Sequence, residues 1–159
     1  MKTSAFIAFA SLWFACVSAS AAPFTISADF AEVTDTKTGL VWRRCAEGAS
    51  PSSTGDCIGN ATAVSHEAAF GIAKLAASST AKAWRMPSVR ELASILNSDA
   101  VPAIDTAAFP NAPAIYTWTS SPSITDSSKV WIVDFYAGFI FEQSRSDLNT
   151  RLRLVRTGP

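Results

Sequence analysis

Apolar and polar positions divide the chain into a leader, a strand-rich beginning, a helical middle, an irregular stretch and a strand-rich last third. Lys2 precedes an uncharged, largely apolar stretch of 13 residues, Ala5 to Val17, and the small-residue run Ser18-Ala19-Ser20-Ala21-Ala22. This is the charged start, apolar middle and small-residue exit of a secretory signal. It is shorter than the roughly 20 residues a membrane-crossing helix needs. Ala19-Ser20-Ala21 fits the cleavage pattern, so residues 1–21 are expected to be a signal peptide and 22–159 a single domain. Cys16 follows Trp13-Phe14-Ala15, and bulky aromatics fit a lipidation site poorly.

Phe24 onward reads as strand. Phe30 to Trp42 reads as a hairpin about the polar turn Asp35 to Gly39. Residues 46–56 are polar or small and predict a surface loop with nothing to bury. From Ser65-His66-Glu67 the spacing predicts a helix with Ala68, Ala69, Ile72, Ala73, Leu75 and Ala76 on one apolar side, ended by Ser78-Ser79-Thr80. A second helix follows Pro87, with Ser88 and Glu91 spaced as a capping box and Leu92, Ile95 and Leu96 inward. Residues 97–115, with three prolines, predict an irregular connection. Tyr116 to Thr119 is strand, 120–129 is loop, and Val130 to Tyr136 pairs with Phe139 to Gln143 across Ala137-Gly138. Trp131, Val133 and Phe135 share one face, and Val130, Ile132, Asp134 and Tyr136 the other. Arg151 to Arg156 alternates Arg-Leu-Arg-Leu and reads as a strand with one wet and one dry face. The pattern is that of an α+β domain.

Charge narrows the function classes. Without Lys2, 12 basic residues face 13 acidic ones, so no global charge steers the chain to nucleic acid or a membrane surface. Cys45 and Cys57 remain after cleavage, and in an oxidising compartment such a pair is most simply a disulfide, worth about 3 kcal/mol by loop closure. Two sulfurs with only His66 nearby do not make a four-ligand metal site.

Several side chains carry both a structural and a functional reading. Trp84 is expected to anchor the second helix and Arg85 to pair with a neighbouring carboxylate, the alternative being a sugar-stacking or anion-binding spot. Trp42, Trp118 and Trp131 are expected in the core, since aromatics bury 150–250 Å² each; any of them reaching the surface would be a ligand platform. Asp35, Asp105, Asp126, Asp134 and Glu142 are the candidate oxygen donors for calcium, which takes 6–8 oxygens. No compact Asp-x-Asp-x-Asp run occurs among them, so turn caps and an Asp134–Arg pair are the expectation. Arg145, Arg151, Arg153 and Arg156 against Asp147 make the C-terminal part locally basic; arginine grips sulfate, phosphate or carboxylate bidentately, and the candidates for such a group are Arg145, Arg151 and Arg153. With Trp118 they are the candidate ligand-binding residues. His66 is the only histidine. Placed at a helix N-terminus with no nucleophile motif such as Gly-x-Ser-x-Gly, it is expected to face solvent, and no catalytic residues are assigned.

The blocks Val33-Thr34-Asp35-Thr36-Lys37-Thr38-Gly39-Leu40-Val41-Trp42, Trp84-Arg85-Met86-Pro87-Ser88-Val89-Arg90-Glu91-Leu92, Ala103-Ile104-Asp105 with Phe109-Pro110, Trp118-Thr119-Ser120-Ser121, Trp131-Ile132-Val133-Asp134-Phe135 and Leu154-Val155-Arg156 cover nearly the whole expected mature chain. In kind and order they resemble the C-terminal domain family of Legionella collagen-like (Lcl) proteins. Met86 stands where leucine is usual, Ser88 where threonine is, and Leu154 where many members carry a cysteine. The missing late cysteine is consistent with a Cys45–Cys57 pair.

The resemblance implies a fold like that of C-type lectins and formylglycine-generating enzymes, with two helices flanking twisted, mostly antiparallel strands and long loops. It also implies an exported, non-enzymatic binding or adhesion module, periplasmic, cell-surface or extracellular. Such a module would meet a glycan or other surface ligand through loops such as 46–56 and 120–129. The alternatives are a structural subunit of a surface or pilus-type assembly, and an enzyme of the formylglycine-generating or hydrolase type. The former would expose an apolar patch. The latter is disfavoured because both mature cysteines flank an early surface loop.

Overall fold

Short apolar runs separated by turn-forming residues give short strands, and a computed structural model shows how they assemble. It describes residues 23–158, so the expected signal peptide and its cleavage site lie outside the described residues. In chain order the elements are β1 (Phe24–Ile26), β2 (Glu32–Asp35), β3 (Leu40–Arg43), β4 (Ser50–Pro51), β5 (Cys57–Ile58) and α1 (His66–Thr80). There follow α2 (Val89–Ala93), β6 (Tyr116–Pro122), β7 (Lys129–Asp134), β8 (Phe139–Ser144) and β9 (Val155–Thr157).

The strands form an antiparallel sheet β1-β2-β3-β9, a hairpin β4-β5 and an antiparallel sheet β6-β7-β8, an α+β arrangement. The turn between β2 and β3 is made by Asp35, whose carboxylate accepts from the Lys37 backbone N–H and the Thr38 hydroxyl. Gly39 completes it at φ 72°, a region glycine enters without a Cβ clash. The expected hairpins at Phe30–Trp42 and across Ala137-Gly138 are both present.

Period-two alternation explains where the core sits. Val41, Ile132 and Leu154 point into a cluster with Trp84, Met86, Trp118 and the alanines of α1. Their neighbours Trp42, Val133 and Val155 point to the opposite side, against Leu92, Ile95, Ile104 and Phe109. The central strands are therefore buried on both faces.

Residues 151–157 run between the two sheets. The Trp118 backbone N–H donates to the Arg151 carbonyl and that of Arg151 to Tyr116. On the other side the backbone N–H groups of Arg43 and Glu47 donate to the Leu154 and Leu152 carbonyls, while Arg85 and Val155 exchange both bonds. This corrects the wet-and-dry reading of Arg151–Arg156: Leu152, Arg153, Leu154 and Val155 are all buried, because the strip has neighbours on both sides.

Ser65 caps α1 by accepting from the Ala68 N–H. Its buried face is narrower than the spacing predicts: His66, Ala69, Ala73 and Ala76 face inward, whereas Ala68 lies outside and Leu75 is 68% exposed. The small alanines let the helix lie close to the sheet. Ser78, Ser79 and Thr80 belong to the last turn, their hydroxyls donating to the Leu75 and Ala76 carbonyls.

The capping box of α2 is complete, with Ser88 Oγ accepting from the Glu91 N–H and Glu91 Oε2 accepting from the Ser88 N–H. This helix is a single short turn, and Ile95 and Leu96 pack just beyond it. Arg85 pairs with Glu91 through two bonds of 2.8 and 2.6 Å, as expected.

The Cys45–Cys57 disulfide is formed, with Cα atoms 5.5 Å apart. The 46–56 segment it closes is not the bare loop expected. It contains β4, and its Gly55 is buried beneath Phe30 and Arg44. The Arg44 guanidinium is itself buried and donates to the carbonyls of Gly55, Ala107 and Ala108. One side chain thus ties this loop to the irregular 97–115 connection.

Candidate functional site

The candidate ligand-binding residues do not converge. Trp118 is wholly buried at 0% exposure and donates its indole N–H to the Val64 carbonyl at 2.8 Å, so it offers no surface platform. Arg153 is 3% exposed, and its Nη1 donates to the carbonyls of Arg43 and Arg44 at 2.8 and 2.5 Å. It stacks on Phe109 at 4.7 Å, and burial lowers its pKa to about 10. These two therefore leave the ligand-binding set. Arg151 is half-buried and bonds the Asn149 carbonyl. Arg145 alone lines a recess.

That recess, of about 590 Å³, lies at the N-terminus of α1. Arg145, Glu67 and Ser65 supply polar groups and Phe70 and Leu148 exposed apolar walls. Arg145 follows β8, where its Nε donates to the Ser127 carbonyl at 3.0 Å and its Nη1 donates to His66 Nδ1 at 3.2 Å.

His66 was expected to face solvent and is instead 3% exposed. As the first residue of α1 it shares the inward face of Ala69, Ala73 and Ala76, a three-and-four spacing that carries the signal for its burial. Its ring sits edge-on to Phe70 and Trp118 at 5.0 and 5.2 Å. Burial holds its pKa below the ordinary histidine value; the Thr119 carbonyl opposes this and Arg145 adds to it. Trp118 thus supports the recess from beneath.

A second recess, of about 300 Å³, borders the disulfide between β3, β4 and the end of α1. Its charges answer one another. Glu32 binds Lys82 through one oxygen and Arg156 at 2.7 Å through the other, and Arg43 reaches Glu47 at 3.1 Å. Arg43 and Arg156 each lie 5.5 Å from the Trp84 ring, so Trp84 is core with its π surface occupied. Burial pushes Glu47 up against the pull of Arg43. Burial acts likewise on Glu32, but the hydrogen bonds from Lys82 and Arg156 prevail and hold it low. This network holds β2, β3 and the chain after α1 together.

The acids considered for calcium are scattered. Asp105 caps Ala107 and Ala108, and Asp126 caps Ser128. Asp134 is buried without the expected arginine. Its carboxylate accepts from the Tyr136 N–H and closes the β7–β8 turn. Glu142 lies on β8 opposite Trp131. Among the described residues no three His, Cys, Asp or Glu side chains gather as a metal site, and no helix is long and apolar enough to cross a membrane. Trp131 is half-exposed and, with Ile140, Val89 and Ala93, lines a shallow apolar spot. Tyr136 and Phe139 are also exposed on this hairpin, Phe139 on the face of β8 opposite to Ile140.

Fold and site together define a small disulfide-bonded α+β domain with a recess of mixed polar and apolar lining at a helix N-terminus. The family model for the Lcl C-terminal domain matches residues 31–156, and the chain belongs to that family. No curated protein and no solved structure matches it.

Proposed function

We propose that this chain is an exported, non-enzymatic binding or adhesion module that receives an acidic glycan or similar surface ligand in the recess at the N-terminus of α1. The observation that carries the reading is Arg145, a guanidinium held at the wall of an open recess with Phe70 and Leu148 beside it. Arginine suits the sulfate or carboxylate of such a ligand, and exposed apolar side chains suit the ring faces of a sugar. The disulfide and the buried Arg44 and Arg153 make the scaffold rigid, which lowers the ordering cost of binding. A glycan array, run with calcium and with chelator, tests the reading. Retention of anionic glycans, lost in Arg145→Gln, is expected; no binding to any anionic glycan refutes it.

A second reading, a subunit of a surface assembly, is supported by the shallow apolar spot that Ile140 and the half-exposed Trp131 form with Val89 and Ala93. Sedimentation of the wild type against Ile140→Ser distinguishes it, since only an assembly subunit loses a larger species on that change.

A further inference from the structure

His66 is gripped at both ring nitrogens. Nε2 lies 3.0 Å from the Thr119 carbonyl oxygen and Nδ1 lies 3.2 Å from Arg145 Nη1. A carbonyl only accepts and a guanidinium only donates. The single proton therefore sits on Nε2, and the Nδ1 lone pair receives Arg145. This arrangement exists only for a neutral imidazole. A proton added at Nδ1 would set two cationic donors face to face.

The two partners are unequally free to respond. The imidazole is walled by Phe70 and Trp118 and anchored to Thr119. Arg145 is half-buried and borders the open recess, and besides His66 its guanidinium keeps one other bond, from Nε to the Ser127 carbonyl at 3.0 Å. The other charges nearby are spoken for or lie aside. Glu67, on the same helix, faces the recess. Asp147, two residues past Arg145, is bound to the Asn149 N–H and the Thr150 hydroxyl. Asp126 is taken by Ser128 and Lys129.

We infer that His66 is a proton-operated latch on Arg145: the neutral ring holds the guanidinium against α1, and protonation releases it into the recess with a second positive charge behind it. The inference rests on the acidic-ligand reading above and adds its regulation, binding that strengthens as the medium turns acid. By linkage, an anion in the recess in turn favours the protonated ring. Burial of His66 places the switch on the acid side of neutrality.

Because the chain has one histidine, its imidazole resonances in the purified protein are unambiguous. NMR titration of the wild type is expected to move the Arg145 Nε–H signal with the same midpoint as His66, and Arg145→Gln to raise that midpoint. An unresponsive Arg145 or an unchanged midpoint overturns the latch. Inorganic sulfate, whose charge is constant over this range, is the ligand probe. Its affinity is expected to be roughly fivefold or more higher about one pH unit below the His66 midpoint found by NMR than about one unit above it, and flat in His66→Gln, which keeps a donor for Thr119. A flat wild type, or wild-type pH dependence in His66→Gln, also overturns it. Sulfate that binds at neither pH refutes the acidic-ligand reading instead, and the NMR titration then decides the latch by itself.

Discussion

Replacing Arg153 by methionine separates a buried structural arginine from a ligand-binding one. The guanidinium makes two hydrogen bonds to the carbonyls of Arg43 and Arg44 and stacks on Phe109. Hydrogen bonds to a charged group contribute about 1.5–3 kcal/mol each, and a desolvated cation–π contact about 2 kcal/mol. The gross loss is then about 5–8 kcal/mol. Relief of the guanidinium's desolvation returns several kcal/mol of that, and methionine keeps the apolar stem packed. A net destabilisation of about 3 kcal/mol follows, or roughly 10 °C in Tm for a domain of this size. Urea unfolding followed by tryptophan fluorescence measures it. An arginine on a solvated strand face would give a change within about 0.5 kcal/mol and weaker binding of acidic ligands. That pair of results for Arg153→Met would refute the reasoning.

Loss of the Cys45–Cys57 bond, by reduction or by paired serine substitution, is expected to cost about 3 kcal/mol, read as a lower urea midpoint. The hydrogen bonds from Arg85 hold Glu91 at a pKa of about 2, below its ordinary value of 4.5, with Ser88 acting in the same sense. A carboxylate depressed in the folded state contributes stability that is complete above its unfolded pKa and lost as pH falls through the folded one. Glu91→Gln is therefore expected to flatten the stability profile between 4.5 and about 2, and Ser88→Ala to cost about 1 kcal/mol at neutral pH. On α1, Leu75→Ala on the outer face is expected to change stability by less than about 0.5 kcal/mol. Ala69→Leu on the inner face should cost about 1–3 kcal/mol by overpacking. Thermal melts of the two variants decide which side of the helix is buried.

Features set by neighbours in sequence were legible. The Ser88–Glu91 box, the hairpins and the Arg85–Glu91 pair each need only a few consecutive residues, and with Cys16 assigned to the expected leader only the Cys45–Cys57 pairing is left. The misreadings concern partners far along the chain. Arg-Leu-Arg-Leu looks half-wet until the carbonyls of residues 43 and 44, some 110 positions earlier, receive Arg153. Asp134 suggests an arginine because charge in an apolar strand demands compensation. Here the turn's own Tyr136 N–H answers it, an option that depends on where the strand ends. His66 was placed outward because helix N-termini are usually wet, although the alanine spacing already put position 66 on the inner face. Of the candidate site, only Arg145 was found from sequence. Phe70 and Leu148 join it through folding alone.

The strip from Arg151 to Thr157 is flanked on both sides by segments that precede it in the chain. It acts as the keystone of the domain, and a ribosome makes it only after everything it locks. Until those residues emerge, β3 and β6 have no strand between them, and the backbone hydrogen bonds that join the two sheets along this strip cannot form.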